Sequence, residues 1–594
     1  MKMSRKPRPP VAYNGAPAMF WRRHVRMAMI ALMFFGGANV LIWRAVDLQV
    51  AQHSFLSSKG GALHERRLEI PANRGTITDR NGEPLAISVP VDAVWVDPAQ
   101  LRDKETELRE LAGILNLDAD NLIRQVKGAG NRRFMYVQRQ VQPEIGEKVR
   151  ALRVAGIHTR REYRRFYPSG EVSATLIGFT DIDDHALEGI ERTYDEWLTG
   201  EPGSRRIIKD LHGRVIENLG VVREARPGRP LALSIDRRLQ YLAYRELRAG
   251  VEAHDAKGGM AVLMDARTGE VLAMANVPSF NPNNRLSIDP SRTRNRAIVD
   301  QFEPGSAMKP FAMLAALQTG RYTPQTVIDT SPGWIKVDRF TIRDHRNYGV
   351  MDVTGVLQKS SNVGATRIAM DVGRESLWQL YDALGFGKPI GTGFPGEASG
   401  RLAFWRHWSS SDIATHAYGY GMSVTTLQLA SAYATLANEG RAVRPSLLRL
   451  EQAPKGEQVV PARYAREVVN MLQSVTEEGG TGSRAKVPGY LVAGKTGTAR
   501  KSEGGGYSSN RYVTVFAGMA PASDPKLVLV VVVDEPQGDT IFAGQVAGPI
   551  FREIMAGALR LLNVRPDDMP GVEPPSRHTV LAFNQRKEQG QGGE

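Results

Sequence analysis

Three short strings, far apart in the chain, place the strongest constraint on how it folds. They are Ser306-Ala-Met-Lys309, Ser360-Ser361-Asn362 and Lys495-Thr496-Gly497. The first pairs a hydroxyl with a lysine three residues later, and such residues share one face of a helix. The second adds a hydroxyl and an amide, and the third adds a cation on a predicted strand. A fold that brings the three together would hold the groups that a serine acyl-transfer enzyme needs.

The order of the strings selects these copies from weaker matches. Other Ser-x-x-Lys strings begin at Ser483 and Ser523, and other Ser-x-Asn strings begin at Ser279 and Ser508. Lys495-Thr496-Gly497 is the single Lys-[Ser/Thr]-Gly, and only the Ser306 string precedes a Ser-x-Asn that itself precedes it. The Ser523 string contains a proline between two apolar runs, which predicts a solvated loop.

The positive charge of the chain is concentrated at its start. Of a formal net charge of +14, seven charges fall in residues 1–26, which contain no acidic residue. Residues 27–43 follow as an apolar run with Asn39 as the strongly polar member, long enough as a helix to cover most of a ~30 Å hydrocarbon core. A cleaved signal peptide is the alternative, but the apolar run is longer than its usual core. We therefore predict a transmembrane anchor at 27–45, with a cytoplasmic basic tail at 1–26 and everything after it outside.

Composition excludes several kinds of site. The chain has no cysteine, so it has no disulfide, thiolate chemistry or cysteine metal site. Its eleven histidines form no recognised metal-binding spacing, and we expect no metal and no cofactor. The basic N-terminus accompanies a membrane segment and no nucleic-acid-binding motif, so lipid headgroups are the expected counter-charge and no nucleic-acid partner is expected.

Two folded regions are predicted after the anchor. Residues 46–230 begin with a helical stalk, continue through a hairpin turn at Asn81-Gly82, and include a helical stretch from about 100 to 155; this region has no paired nucleophile and base. From residue 231 to 564 the pattern becomes α/β. A helix from Arg237 and an early strand pair lie far from three late strand-like runs, which predicts one antiparallel sheet built from both ends of the domain. Residues 565–594 are rich in Pro, Gly and Gln and are predicted to be a disordered tail.

The local sequence suggests how the three strings act. Residues 306–320 are apolar nearly all round, which predicts a buried helix with Ser306 at its start. A buried lysine with a nearby cation has a lowered pKa and can take the serine proton, so Lys309 is the candidate base and Lys495 the second cation. Ser360 could relay a proton and Asn362 could hold Lys309, although helix capping explains the same residues equally well.

The third string is expected to form one wall of a cleft. Lys495, Thr496, Gly497 and Thr498 end an apolar run, and an edge strand there would offer hydrogen bonds to an extended peptide. Gly497 is expected to let a substrate backbone approach closely. The N–H groups of Ser306 and Thr498 are the candidates for an oxyanion hole.

Together with the anchor, these strings resemble those of the class B penicillin-binding proteins. The resemblance covers residues 20 to about 565 and includes further strings at residues 74–82, 167–170, 394–397, 418–421 and 426–430. The string at 294–305 resembles the division-type members of the class. The resemblance implies an α/β (α+β) transpeptidase domain of the penicillin-binding and β-lactamase-like fold, preceded by a single transmembrane helix and an elongated mixed α/β pedestal.

The family's chemistry implies a role for each residue. Ser306 would attack the D-Ala-D-Ala carbonyl of a peptidoglycan stem peptide, with Lys309 as base and Ser360 and Asn362 as relay and support. The carboxylate of the substrate would be bound by Lys495 with Thr496 and Thr498, and Gly497 would belong to the same substrate-binding string. Three further residues, Tyr512, Ile541 and Phe542, would form an apolar wall.

The resemblance also implies where the protein acts and what it binds. β-Lactams would acylate Ser306. The implied partners are division proteins and a membrane glycan polymerase of the shape, elongation, division and sporulation (SEDS) family, and the implied location is the bacterial inner membrane at the septum, with the catalytic domain in the periplasm.

Other functions remain open at this stage. An elongation-type transpeptidase is the nearest alternative, and a hydrolase, either β-lactamase or D,D-carboxypeptidase, would carry the same three strings. A bifunctional class A enzyme is disfavoured because residues 46–230 do not resemble a glycosyltransferase. A division scaffold with a dispensable active site is the alternative of a different class, and the intact strings argue against it.

Overall fold

The structure is a computed structural model that describes residues 18–55, 65–209, 215–285, 288–503, 506–538 and 540–568. Most of both predicted tails, and the predicted stalk beyond residue 55, lie outside the described residues. The chain divides into two units, one formed by Met1–Ile70 with Pro202–Ala225 and the other by Pro71–Glu201 with Arg226–Glu594.

The first unit contains the predicted anchor and a small sheet. The anchor is a helix from Ala18 to Val46, followed by a turn of π-helix at Asp47–Ala51. The side chain of Asn39 donates to the carbonyl of Phe35 at 2.7 Å, so its amide finds a partner within the helix. Among the described residues, this is the one helix long and apolar enough to cross a membrane. The sheet pairs three antiparallel strands, Glu65–Ile70, Gly203–Lys209 and Val215–Arg223.

The N-terminal part of the second unit is a sheet packed with helices. Its strands are Ile77–Thr78, Pro84–Val96, Met135–Val141, Ile157–Phe166 and Leu231–Ala232. The predicted hairpin turn is present: Asp79 Oδ1 accepts from the backbone N–H groups of Asn81 and Glu83, both at 2.8 Å. The helices are Pro98–Leu101, Glu105–Leu115, Ala119–Gly128, Pro143–Ala151, Ala174–Ile177, Gly189–Thr193 and Asp195–Leu198.

The prediction of a continuous helical region from about 100 to 155 is wrong in one part. Met135–Val141 is a strand that pairs with Pro84–Val96. Its sequence alternates, with Met135, Val137 and Val141 on one side of the chain, and period-two patterns with valine and tyrosine favour strands over helices. The rest of the stretch is largely helical, and five of its leucines lie on helices and are buried: Leu101, Leu108, Leu111, Leu115 and Leu122.

The second unit from Arg237 onward is built on one antiparallel sheet, as predicted. The strand order is Val271–Val277, Gly258–Asp265, Leu527–Asp534, Gly506–Ala520 and Ala493–Glu503, so early and late strands share the sheet. Alternate residues of Gly258–Asp265 face two apolar clusters. Ala261 and Leu263 pack with the helices Arg237–Ala253 and Ala543–Leu561, while Met260 and Val262 pack with Lys309–Gln318 and Thr426–Ala437.

A helical region and three small strand pairs complete this part. The other helices are Arg296–Val299, Val353–Gln358, Asn362–Val372, Arg374–Ala383, Ser410–Ala417 and Ala462–Gln473. The strand pairs are Val327–Asp329 with Val350–Asp352, Trp334–Val337 with Phe340–Arg343, and Arg441–Ala442 with Glu457–Gln458. The middle pair, called here the 334–343 hairpin, reaches the candidate site.

Candidate active site

Ser306 lies on a tight turn that leads into a buried helix. A 3₁₀ turn spans Gly305–Met308, and the α-helix runs from Lys309 to Gln318 with Pro310 in its first turn, where its missing N–H costs no hydrogen bond. Side chains three residues apart eclipse each other in a 3₁₀ turn, so Ser306 and Lys309 project to the same side. The helix is buried on all faces up to Leu317, as its apolar composition predicts.

The amine of Lys309 is held by the second string. Its Nζ donates to the carbonyl of Ser360 at 2.5 Å and to Asn362 Oδ1 at 2.7 Å, and it lies 3.2 Å from Ser360 Oγ. Lys309 is fully buried. Ser360 has a positive φ of 59°, a backbone conformation that costs energy and that clusters at functional sites. The structure therefore fixes this lysine with three oxygen acceptors.

Lys495 approaches the same hydroxyl from the sheet. Its Nζ lies 3.0 Å from Ser360 Oγ and 3.2 Å from both the carbonyl and the hydroxyl of Thr496. Lys495 is also fully buried. Ser360 Oγ thus lies between two lysine amines that come from separate strings of the sequence.

The two lysines have lowered pKa values. Burial depresses the pKa of Lys309 well below its usual value, the charge of Lys495 depresses it further, and Asp344 acts in the opposite direction. Burial lowers the pKa of Lys495 to about 7. A lowered pKa favours the neutral amine, which can accept a proton, and the three-residue spacing puts Lys309 on the side of the turn to which Ser306 projects.

Thr496, Gly497 and Thr498 lie on the edge strand Ala493–Glu503, as predicted. The hydroxyls of Thr496 and Thr481 are 2.8 Å apart, and Thr498 Oγ1 accepts from the N–H of Ala543 at 3.2 Å. The structure gives a reason for glycine at position 497 that differs from the predicted approach of a substrate backbone. A Cβ there would lie 2.5 Å from the carbonyl oxygen of Pro304, so it is the protein's own backbone beside Ser306 that requires glycine.

These residues border a cleft of about 960 Å³. Ser306, Ser360, Asn362, Thr496 and Thr498 line it, whereas Lys309, Lys495 and Gly497 are buried behind its surface. The three residues predicted as an apolar wall, Tyr512, Ile541 and Phe542, also line the cleft. So do four tyrosines that sequence reasoning did not assign to it: Tyr348, Tyr418, Tyr420 and Tyr507. The three strings therefore meet at one cavity large enough for a peptide.

Sequence reasoning missed the residue that holds the second string in place. Asp344, at the end of the 334–343 hairpin, accepts from Ser361 Oγ at 2.6 Å and from the backbone N–H groups of Asn362 and Val363 at 2.5 and 3.0 Å. The helix Asn362–Val372 is capped by Ser361 rather than by Ser360 or Asn362. The capping explanation of Ser360 and Asn362 is therefore wrong. A single aspartate in an otherwise plain turn gives no local signal of this role.

Comparison with known proteins agrees with this geometry. The model of the penicillin binding protein transpeptidase domain matches residues 259–556, and that of the penicillin-binding protein dimerisation domain matches residues 69–233. The chain belongs to the class B penicillin-binding proteins. A probable peptidoglycan D,D-transpeptidase PbpC of Pseudomonas aeruginosa is 42% identical to this class B protein over 560 residues, which cover 94% of this chain and 99% of the relative.

Two further comparisons place this class B protein among division-type relatives. It is 43% identical over 547 residues to the peptidoglycan D,D-transpeptidase FtsI of Escherichia coli, covering 91% of this chain and 92% of FtsI. The solved transpeptidase domain of Burkholderia pseudomallei penicillin-binding protein 3 is 44% identical, with a TM-score of 0.53 over 57% of this chain and 98% of that domain. The predicted fold, a transpeptidase domain after a pedestal and an N-terminal apolar helix, is confirmed.

Proposed function

We propose that this chain is a peptidoglycan D,D-transpeptidase of the division type that works through an acyl-enzyme on Ser306. The observation that carries the proposal is the hydrogen-bonded set of Lys309, Ser360 and Lys495 beside Ser306 at the wall of a peptide-sized cleft. Two buried lysines with lowered pKa values serve no purpose in a purely structural cluster, where buried charges are paired.

The roles follow from position. Ser306 Oγ attacks the carbonyl carbon of the penultimate D-alanine, and the neutral amine of Lys309 takes the hydroxyl proton. The C–N bond to the terminal D-alanine breaks, and Ser360 passes a proton from the lysines to the departing amine. Asn362 holds Lys309, while Lys495, Thr496 and Thr498 bind the substrate carboxylate. Gly497 keeps the strand close to the Ser306 turn, and the N–H groups of Ser306 and Thr498 stabilise the oxyanion.

A fluorescent penicillin tests the nucleophile. We would incubate the full-length protein in detergent with the penicillin and locate the label by peptide mass spectrometry, for wild type, Ser306→Ala and Ser523→Ala. Ser523 begins the other Ser-x-x-Lys string that lies in a loop, so it is the matched control. Stable label on Ser306, absent in Ser306→Ala and kept in Ser523→Ala, is the expected result.

The same experiment separates the alternatives. Label that forms on Ser306 and is lost within seconds would indicate a β-lactamase. Stable label combined with release of D-alanine from a stem pentapeptide, without cross-linked product when an amine acceptor is present, would indicate a carboxypeptidase. A folded wild type that takes no label at Ser306 would refute the proposal and favour a division scaffold.

We also propose the domain boundaries and membrane orientation predicted from the sequence. The domains are a cytoplasmic tail at 1–26, an anchor at 27–45, a pedestal at 46–230, the catalytic domain at 231–564 and a tail at 565–594. The positive charges before the anchor favour a cytoplasmic N-terminus and a periplasmic catalytic domain. Protease added to spheroplasts should degrade the catalytic domain and spare an epitope tag at the N-terminus; the opposite pattern would reverse the orientation.

The cellular role is proposed from the division-type resemblance. We propose that the protein acts at the septum with other division proteins and a SEDS-family glycan polymerase. Replacement of the native gene by Ser306→Ala should block septal cross-linking while the fluorescently tagged variant still reaches the septum. A dispersed location with normal division would favour the elongation-type alternative, and normal division with septal location would favour the scaffold.

A further inference from the structure

A second cavity lies next to the catalytic cleft. It has a volume of about 700 Å³ and is lined by residues that include Asp300, Glu303, Arg401, Arg500 and Lys501; we call it the flanking cavity. Gly421 and Arg500 line both this cavity and the cleft. The two spaces therefore adjoin, and the edge strand that carries Lys495 to Thr498 continues into the flanking cavity at Arg500.

The segment that carries the nucleophile also joins the two spaces. Glu303 lines the flanking cavity and Ser306 lines the cleft. Glu303 precedes Ser306 by three positions, so their Cα atoms are at most about 10 Å apart. A ligand that contacts Glu303 would thus lie within about three residues' length of Ser306.

Charges of both signs line the flanking cavity, and some of them are unpaired. Two ion pairs account for several charged groups, since Arg294 binds Asp300 at 2.5 Å and Lys501 binds Asp534 at 2.8 Å. Arg401 and Glu303 form no salt bridge within the described part of the chain, although the charge of Arg401 acts to lower the pKa of Glu303. Arg500 has no salt bridge there either, and its side chain lies over the ring of Tyr512 at 6.0 Å.

Glu303 has spare hydrogen-bonding capacity. Its Oε1 accepts from the N–H of Gly421 at 2.9 Å and from the hydroxyl of Tyr507 at 3.2 Å. Its Oε2 is buried and has no partner among the described residues. Burial raises the pKa of this carboxyl. A buried carboxylate oxygen without a donor is costly, so the Glu303 side chain, which lines the cavity, has a hydrogen-bonding need that the described residues do not meet.

The charge pattern selects the kind of ligand. A simple anion would satisfy Arg401 and Arg500 but would meet the carboxylate of Glu303, and a simple cation would meet two arginines. A molecule with an amine and carboxylates satisfies all three groups. We propose that the flanking cavity binds the acceptor stem peptide, with its free amine at Glu303 and its carboxylates at Arg401 and Arg500. This inference rests on the proposed transpeptidase function, because a hydrolase has no acceptor peptide.

A binding experiment with the full-length protein tests this site. Ser306 is first acylated with benzylpenicillin so that the donor cleft is filled. The probe is N-acetyl-L-alanyl-γ-D-glutamyl-meso-diaminopimelate, which carries one free amine and several carboxylates, and binding is followed by saturation-transfer NMR. The comparison probe is the same peptide with that amine acetylated. We expect the acylated wild type to bind the first probe with a Kd on the order of 1 mM or lower.

Paired changes in protein and probe then locate the amine. Acetylating the amine should weaken binding to the wild type about tenfold, the usual size of a charge-assisted hydrogen bond, and should have little further effect on Glu303→Gln. Arg401→Gln should weaken both probes about tenfold, whereas Arg401→Lys should recover part of the loss. Arg552→Gln, an exposed arginine on the helix Ala543–Leu561, is the matched control.

The outcomes separate this inference from the proposed function. Each variant is first checked for saturable penicillin label at Ser306, and Arg401 is the variant least open to a folding artefact because its side chain is exposed. If Ser306 takes no label, the proposed function fails. If Ser306 is labelled but the acylated wild type does not bind the probe, or if Glu303→Gln and Arg401→Gln bind both probes as the wild type does, the acceptor site is refuted and the enzyme stands.

Discussion

Two groups of buried charged side chains in this protein are built in opposite ways. In the region before the catalytic domain, Glu191 accepts from Arg74 and from Arg165 at 2.6 Å each, and all three side chains are at most 2% exposed. In the active site, Lys309 and Lys495 meet at one hydroxyl, and within the described residues neither has a salt bridge. One group pairs its charges, and the other places two like charges together.

The pKa shifts of the two groups show what the difference means. Burial opposes the charge of Arg74, but Glu191 and Asp195 outweigh it and raise its pKa. Burial lowers the pKa of Lys309 and of Lys495, and nothing reverses it. The paired group stays charged and holds elements together, whereas the lysines are ready to exchange a proton. Buried charged groups that are paired with opposite charges indicate a structural role. Buried ionisable groups without such a partner beside a cleft indicate a chemical role.

The largest expected effect is that of Lys309→Met, which removes the proposed base and keeps the side-chain volume. The rate of Ser306 acylation by fluorescent penicillin should fall about 10³-fold or more, near the upper range for general-base catalysis. The unfolding midpoint of the folded variant should stay or rise, because an unpaired buried amine is lost. Lys148→Met, at an exposed position, is the control. A rate within tenfold of wild type would show that Lys309 is not the base.

The paired group should respond to substitution in the opposite sense. Glu191→Gln keeps the shape but leaves the buried Arg165 without a carboxylate and leaves Arg74 with Asp195 alone, so it should lower the free energy of unfolding by about 3 kcal/mol or more. Urea unfolding of the full-length protein measures this, with the exposed Glu553→Gln as control. The folded fraction should still be acylated at Ser306 near the wild-type rate. A Glu191→Gln protein as stable as wild type would mean that the paired charges do not stabilise the fold.

A smaller effect is expected for Asp344→Asn. The amide oxygen can still accept from the N–H groups of Asn362 and Val363, but its NH₂ cannot accept from Ser361 Oγ. We expect acylation of Ser306 to slow by about tenfold, since Asn362 is held less firmly and one charge-assisted hydrogen bond is lost. Asp338→Asn, in the turn of the same hairpin, is the matched control. Equal rates for the two variants would show that Asp344 does not position the site.

Asp344 also marks the limit of what the sequence could predict. Ser306, Lys309 and Lys495 were recognised because short-range spacing and order along the chain are visible in a sequence. Asp344 acts across 17 residues on Ser361, and that contact exists only because the 334–343 hairpin folds against the helix. Glu303, three residues before the nucleophile, was likewise visible but had no meaning until a cavity was seen beside it.

The same limit applies to the fold. The five-stranded sheet was predicted because its strands are apolar runs, neighbours along the chain tend to pair, and early and late strands around a helical middle favour one shared sheet. The strand Met135–Val141 was missed because it is half-buried and is flanked by helices, so its pairing with Pro84–Val96 depends on a partner about 45 residues away. The close approach of the Pro304 carbonyl to Gly497 was also missed, because it is a tertiary contact.

The pH dependence of stability sharpens the comparison of the two groups directly. The pKa of Lys495 is about 7 in the folded protein, against an ordinary value of 10.5. Between these values the unfolded chain binds a proton that the folded protein does not, so stability should rise with pH from about 7 to about 10.5. Below about pH 7 both states are protonated, and the cost of burying the charge is present in full. Lys309 shifts in the same direction and adds to the rise.

The pKa of Arg74 in the paired group is raised, so this group contributes no such slope. The difference in unfolding midpoint between wild type and Lys495→Met should therefore shift in favour of wild type from pH 7 to pH 10. The difference in unfolding midpoint between wild type and Glu191→Gln should stay level over the same range. Taking differences cancels the titration of groups that all variants share. A flat difference for Lys495→Met would mean that Lys495 keeps its proton, which would remove the contrast between the two groups and the reason to expect a neutral lysine beside Ser306.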